Sequence, residues 1–89
     1  MTQTSLLDLA EPDLSRLCPM AQRVAQLFLT RGRFTKIDAH ELLAVGGFAA
    51  WRTRVSDVRR EFQRQGLGTI ANATTRHPGR TESHYWWAS

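Results

Sequence analysis

The clearest periodicity in the chain lies in residues 49–66, AAWRTRVSDVRREFQRQG, where the apolar Trp51, Val55, Val58 and Phe62 recur at intervals of four, three and four. A helix of 3.6 residues per turn puts these four on one stripe, which predicts a long amphipathic helix with that stripe buried. On a wheel centred on Val55, the opposite side carries Ala49, Thr53, Ser56, Asp57, Arg60 and Arg64. Arg52 and Arg59 lie on one shoulder, Arg54 and Glu61 on the other. Short polar side chains flanked by arginines suit the floor of a nucleic-acid groove, and they suit a solvated surface helix equally well. The neighbouring segments must decide.

Ahead of this helix, proline at the first position, a stripe of Met20, Val24, Leu27 and Phe28, and Gly32 just beyond predict a core helix over residues 19–30. Arg33, Phe34 and Thr35 read as a short extended link. Thr35 is placed to cap a further helix over residues 36–44, with Asp38 in its positive first turn, Ile37, Leu42 and Leu43 buried, and Gly46 and Gly47 ending it. The sequence Val45, Gly46, Gly47, Phe48 then makes a tight turn, with Val45 and Phe48 expected to point inward, and completes a helix-turn-helix. Residues 1–18 read as a tail followed by a short helix over residues 12–17. Their leucines (Leu6, Leu7, Leu9, Leu14, Leu17) either cover one edge of the core or form a homodimer contact, and the lack of a sustained heptad favours the core edge.

After Gly66 the pattern changes period. Residues 68–75 (GTIANATT) are β-branched and small, as in a strand, and His77, Pro78 and Gly79 supply a turn. Residues 81–87 continue extended, with Tyr85 and Trp87 on an inward face and Trp86 on the other. This is a hairpin whose tip carries Arg76, His77 and Arg80.

Charge sharpens the picture. The chain of 89 residues has a formal charge of +4, and eleven of its twelve basic side chains are arginine. Residues 1–48 balance, five basic against five acidic, so the whole excess lies in the second half, where seven arginines face Asp57, Glu61 and Glu82. Arginine's planar fork holds phosphate or a guanine edge with two hydrogen bonds. At 42% hydrophobic and 22% charged the composition is that of an ordinary globular domain, too small for a large enzyme cleft. No apolar run approaches a membrane span or a signal-peptide core, so a cytoplasmic location without membrane contact is expected. Cys18 stands alone, and His40, His77 and His84 show no metal-ligand spacing, so neither disulfide, metal nor cofactor is expected. No nucleophile, carboxylate pair or phosphate-binding glycine loop marks an enzyme.

The order helix, short strand, helix, turn, long helix, hairpin resembles the winged helix-turn-helix domains, in particular the small ones common in phages and prophages. The resemblance covers about residues 19–87. It rests on RVAQLFLTRGRFTKIDAHELLAVGG, on RVSDVRREF in the third helix, on Gly66 and Ile70 at the entry to the wing, and on the closing Tyr85, Trp86, Trp87, which is similar to the Tyr-x-Leu ending of such wings. Three features depart from the family pattern: a third helix one turn longer than usual, Trp87 in place of an aliphatic residue, and Asp57 on the reading face.

The resemblance implies an α+β, mainly α fold: a three-helix core plus a C-terminal β-hairpin wing over residues 19–89, with the short extra N-terminal helix before it. It implies a small transcriptional regulator that binds double-stranded DNA, with the third helix in the major groove and the wing on the backbone or minor groove. On this chain Arg52, Thr53, Ser56, Arg59 and Arg60 would then face bases or nearby phosphates. Ala49 would pack close to the groove floor, Arg76 and Arg80 would hold flanking phosphate, and Lys36 would meet phosphate at the start of the second helix. Asp57 is expected to pair with Arg54 or Arg60. The alternative is a winged-helix protein-interaction module, such as a phage-encoded inhibitor or complex subunit, with Trp86 and part of Trp51 exposed to a protein partner.

Overall fold

The computed structural model describes residues 12–88. Among these residues three helices, α1 (Pro19–Arg31), α2 (Ala39–Gly46) and α3 (Trp51–Gln65), pack against a three-stranded antiparallel sheet of β1 (Ile37–Asp38), β2 (Thr69–His77) and β3 (Arg80–Ala88) in the order β1-β3-β2. The domain is therefore α+β. No helix among the described residues is long and apolar enough to cross a membrane.

The α3 stripe is buried as its spacing requires: Trp51, Val55, Val58 and Phe62 all lie in the core with Val24, Phe28, Ile37, Leu42 and Ile70. The helix begins at Trp51, two residues later than expected, because the 48–50 segment is taken up by a turn in which the Trp51 amide donates to the Gly47 carbonyl. It ends where glycine permits it to. Gly66 is left-handed (φ 74°), and the Leu67 amide donates back to the Phe62 carbonyl at 2.9 Å.

In α1 the buried set is Ala21, Val24, Ala25 and Phe28, which turns the helix so that Met20 and Leu27 lie at the margin instead of inside. Two alanines on the inner face allow closer backbone approach than longer side chains would. The largest correction concerns α2. Ile37 and Asp38 are not helical; they form β1, opposite Tyr85 and His84 of β3. A β-branched residue with a fully buried side chain and a strand to pair with favours the sheet. Asp38, not Thr35, caps α2, its Oδ1 accepting from the Glu41 amide at 2.9 Å, while the Thr35 hydroxyl donates back to the Arg31 carbonyl at 3.0 Å and closes α1.

The turn between α2 and α3 also differs from expectation. Phe48 points outward and is 84% exposed. The space it was expected to fill is closed by Gly46, where a Cβ would stand 3.0 Å from both Trp51 Cβ and Val24 Cγ2, so the helices meet too closely for a second ring. The glycine is needed there for proximity.

Residues 12–17 form a turn and not a helix. The Asp13 carboxylate accepts from the Ser15 amide at 2.9 Å and the Leu17 amide donates to the Leu14 carbonyl, a local bonding pattern that competes with helix formation. Leu17 is in the core and Leu14 packs against it, so these two cover a core edge. Leu6, Leu7 and Leu9 lie outside the described residues.

Candidate nucleic-acid interface

With one stripe of α3 committed to the core, its remaining surface divides into an outward face and two flanks. The outward face presents Arg52, Thr53 and Arg60, all exposed, and the half-buried Ser56; Ala49 is exposed in the turn just before the helix. The Arg52 guanidinium lies 4.7 Å from the centre of the Trp51 ring, which holds a cation at the first turn without tying up its hydrogen-bond donors. Trp51 itself is 4% exposed, so the partial exposure expected of it is not found.

The flank facing the hairpin is fastened by Arg59. Its Nε donates to the Ile70 carbonyl at 2.7 Å, and its terminal nitrogen reaches Asn72 Oδ1 at 3.5 Å, joining α3 to the edge strand β2. Further along, the Gln63 amide donates to the Thr69 hydroxyl at 2.9 Å. The hairpin base is held by aromatic packing: Tyr85 meets Trp51 edge-on at 5.7 Å, Trp87 meets Phe62 at 5.5 Å, and Trp87 Nε1 donates to the Leu67 carbonyl at 2.8 Å. The inward pair read from the sequence is thus in place. Beyond it the strands run on to a two-residue turn, with His77 opposite Arg80.

Strand alternation separates the two arginines at the tip. Arg76, in phase with Ile70 and Asn72, points to the face that bears on α3. Arg80, in phase with Glu82, His84 and Trp86, points to the other. Arg80 also pairs with Glu82 at 3.0 Å, and His77 lies 3.4 Å from the same carboxylate. Lys36 belongs to this second face: it precedes β1 instead of starting α2, and its ammonium lies 5.7 Å from the Trp86 ring. It therefore lacks the free helix amides with which it was expected to hold phosphate. Trp86 is half-buried.

The opposite flank of α3 is a network of ion pairs. Asp57 bridges Arg60 at 2.5 Å and Arg54 at 3.5 Å, so both partners considered for it are used. Glu61, expected to be solvated or against the hairpin, is buried and paired with Arg64, and also accepts from the Gln65 amide at 2.7 Å. The hydrogen bonds from Arg64 and then Gln65 hold the Glu61 carboxyl below its ordinary range, and the same pairing raises Arg64. Gln65 in turn donates to the Asp13 carbonyl at 2.6 Å and accepts from its amide, tying the N-terminal turn to the end of α3.

The structure thus brings Arg52, Thr53, Ser56 and Arg60 onto one face of α3, with Ala49 at its start and Arg76 on the hairpin face that continues it. Arg59 is committed to positioning the hairpin, and Lys36 and Arg80 lie around the edge. Arg16, Phe48 and Asn72 were not read from the sequence as site residues: Arg16 is far from α3 along the chain, and Asn72 was simply one of several small strand residues. Among the described residues no group of three or more His, Cys, Asp or Glu side chains could hold a metal ion. No protein-family model, curated protein or solved structure matches this chain.

Proposed function

We propose that this protein is a small winged helix-turn-helix protein that binds double-stranded DNA, with α3 in the major groove and the β2–β3 hairpin as a wing on the backbone or minor groove. The observation that supports it is the exposed Arg52, Thr53, Ser56, Arg60 face of α3, entered by a tight turn from α2 and flanked by a projecting hairpin with arginines at its tip. Arginine near the start of a helix in the major groove reads base edges, while arginine on a hairpin supplies phosphate contacts that position it. A role of this kind fits a transcriptional regulator of the phage or mobile-element type acting at the nucleoid. A single domain of this size covers a short site, so such a regulator would use a dimer or tandem sites.

The test is fluorescence anisotropy of a labelled duplex titrated at several salt concentrations. Affinity should fall steeply with salt, and Arg52→Ala should cost about 1 to 3 kcal/mol if that side chain reads a base. Absence of binding at low salt sinks the proposal.

One observation favours a second reading, a protein-interaction module. Phe48 is almost fully exposed beside Leu43, Trp51 and Arg52, and an aromatic residue next to arginine is a common interface anchor. A stoichiometric protein partner that is retained by Arg60→Ala and lost with Phe48→Ala would establish that reading.

A further inference from the structure

On the side of α3 away from the hairpin, the N-terminal turn and the helix border an open cleft of about 430 Å³. Its walls carry four arginines, Arg16, Arg54, Arg60 and Arg64, against two carboxylates, Asp57 and Glu61. Both carboxylates are already engaged, Asp57 with Arg54 and Arg60, and Glu61 with Arg64. These pairs hold three of the arginines in place; Arg16 makes no ion pair among the described residues, and with the Asp13 carboxylate also within reach of Arg16 and Arg64 the cleft keeps an excess of positive charge, four arginines against three carboxylates. Arg54 Nε is buried with no hydrogen-bond partner there. Cys18, which lines the same cleft, immediately precedes α1, so the positive end of that helix lies at the rim, and no side chain caps it.

Arg60 belongs both to this cleft and to the outward face of α3, so the cleft opens beside the face assigned to the major groove. When a helix lies in that groove, a phosphate backbone runs along each side of it. The hairpin stands on one side. We infer that the Arg16, Arg54, Arg60, Arg64 cleft grips a phosphodiester of the backbone on the other, so that α3 is held between two phosphate contacts. This inference rests on the DNA-binding reading. Arg16 supplies a charge not fixed in an ion pair among the described residues and Arg60 the link to the reading face, while Arg54 and Arg64 shape the wall through their carboxylate partners.

The only cysteine of the chain provides a reporter inside the cleft. Alkylation of Cys18 by iodoacetamide, followed by intact mass, should slow several-fold when the protein is saturated with duplex DNA. Inorganic phosphate at the same ionic strength separates a general anion site from one that needs the polymer: protection by the duplex alone supports backbone contact, and equal protection by free phosphate overturns it. In parallel, Arg16→Ala should reduce the slope of log affinity against log salt by about 0.9, one phosphate contact. Arg23→Ala, which removes a charge from the exposed side of α1, should leave that slope unchanged. If the unsubstituted protein binds duplex while Cys18 reacts at its free rate, or while Arg16→Ala keeps the full slope, the cleft is not a contact and only this inference falls. If it binds no duplex at all, the DNA-binding reading falls and takes this one with it.

Discussion

The two ends of the β2–β3 hairpin are built on opposite terms. At the base, Ile70, Tyr85 and Trp87 lie against Trp51 and Phe62, β1 adds a third strand, and Arg59 fastens the outer edge. From Thr74 onward every residue of β2 is exposed, its side chains are polar, and only its pairing with β3 holds it, through the backbone ladder and a 3.4 Å contact between the Thr74 and Ser83 hydroxyls. The base obtains its position from side-chain burial, the tip from pairing between its own two strands. The lesson is that the tip can change its chemistry without endangering the fold, which is the condition under which a surface is free to serve binding.

Truncating the base should have the largest effect. Trp87→Ala removes the contact with Phe62, the stacking of Arg33 at 4.5 Å and the hydrogen bond to Leu67, and should cost about 3 to 5 kcal/mol in urea unfolding. Thr75→Ala near the tip should stay within about 0.5 kcal/mol. Equal losses at the two positions would break the comparison. Next comes Arg59→Ala, which frees the edge from the helix: about 1 kcal/mol, since the Ile70 carbonyl can then be hydrated, and a drop of about 4 to 8 °C in midpoint per kcal/mol for a domain this small.

Acid sharpens the contrast from the other flank. Because its partners hold Glu61 below the ordinary 4.5, that residue's contribution is complete above about pH 4.5 and is lost as pH falls through the lower folded value. Stability of the unsubstituted protein should therefore fall on acidification, and Glu61→Gln should start lower at neutral pH and lose less, as followed by thermal unfolding across a pH series. The smallest effect on stability belongs to the tip. Arg76→Ala with Arg80→Ala should shift unfolding by no more than about 0.5 kcal/mol, yet reduce the salt slope of duplex binding by nearly two if both hold phosphate. A reduction of one would mean a single contact at the tip, and Arg76→Ala alone should then reproduce it, since Arg76 is the arginine on the α3 side.

Much of this arrangement is legible in the residues. The Trp51, Val55, Val58, Phe62 stripe, the stop at Gly66 and the inward Tyr85 and Trp87 follow from periodicity and from backbone freedom, which are local properties. What could not be read depends on partners distant in the chain. Ile37 enters a strand because Tyr85 is there to pair with it, and Phe48 turns outward because Gly46 lets Trp51 approach Val24. Thr35 and Asp38 are both good caps by composition, and tertiary pairing at β1 decides between them. For the candidate site, the outward arginines of α3 were readable from the wheel. The commitment of Arg59 to Ile70 and the approach of Arg16 to Arg54 and Arg64 were not, since neither has a spacing that marks it.

The β2–β3 hairpin is also a mechanical part. Of its nine rungs, the five from Thr69 to Ala73 rest on the body or on β1, and the four from Thr74 to His77 overhang, a cantilever of about 13 Å at the usual rise per residue. Arg59 sits at the fulcrum. A load applied at the turn, such as attraction to a charged surface, therefore acts with leverage on the Trp87 and Phe62 contact at the root, and the bending stiffness of two strands sets how far the tip can reach.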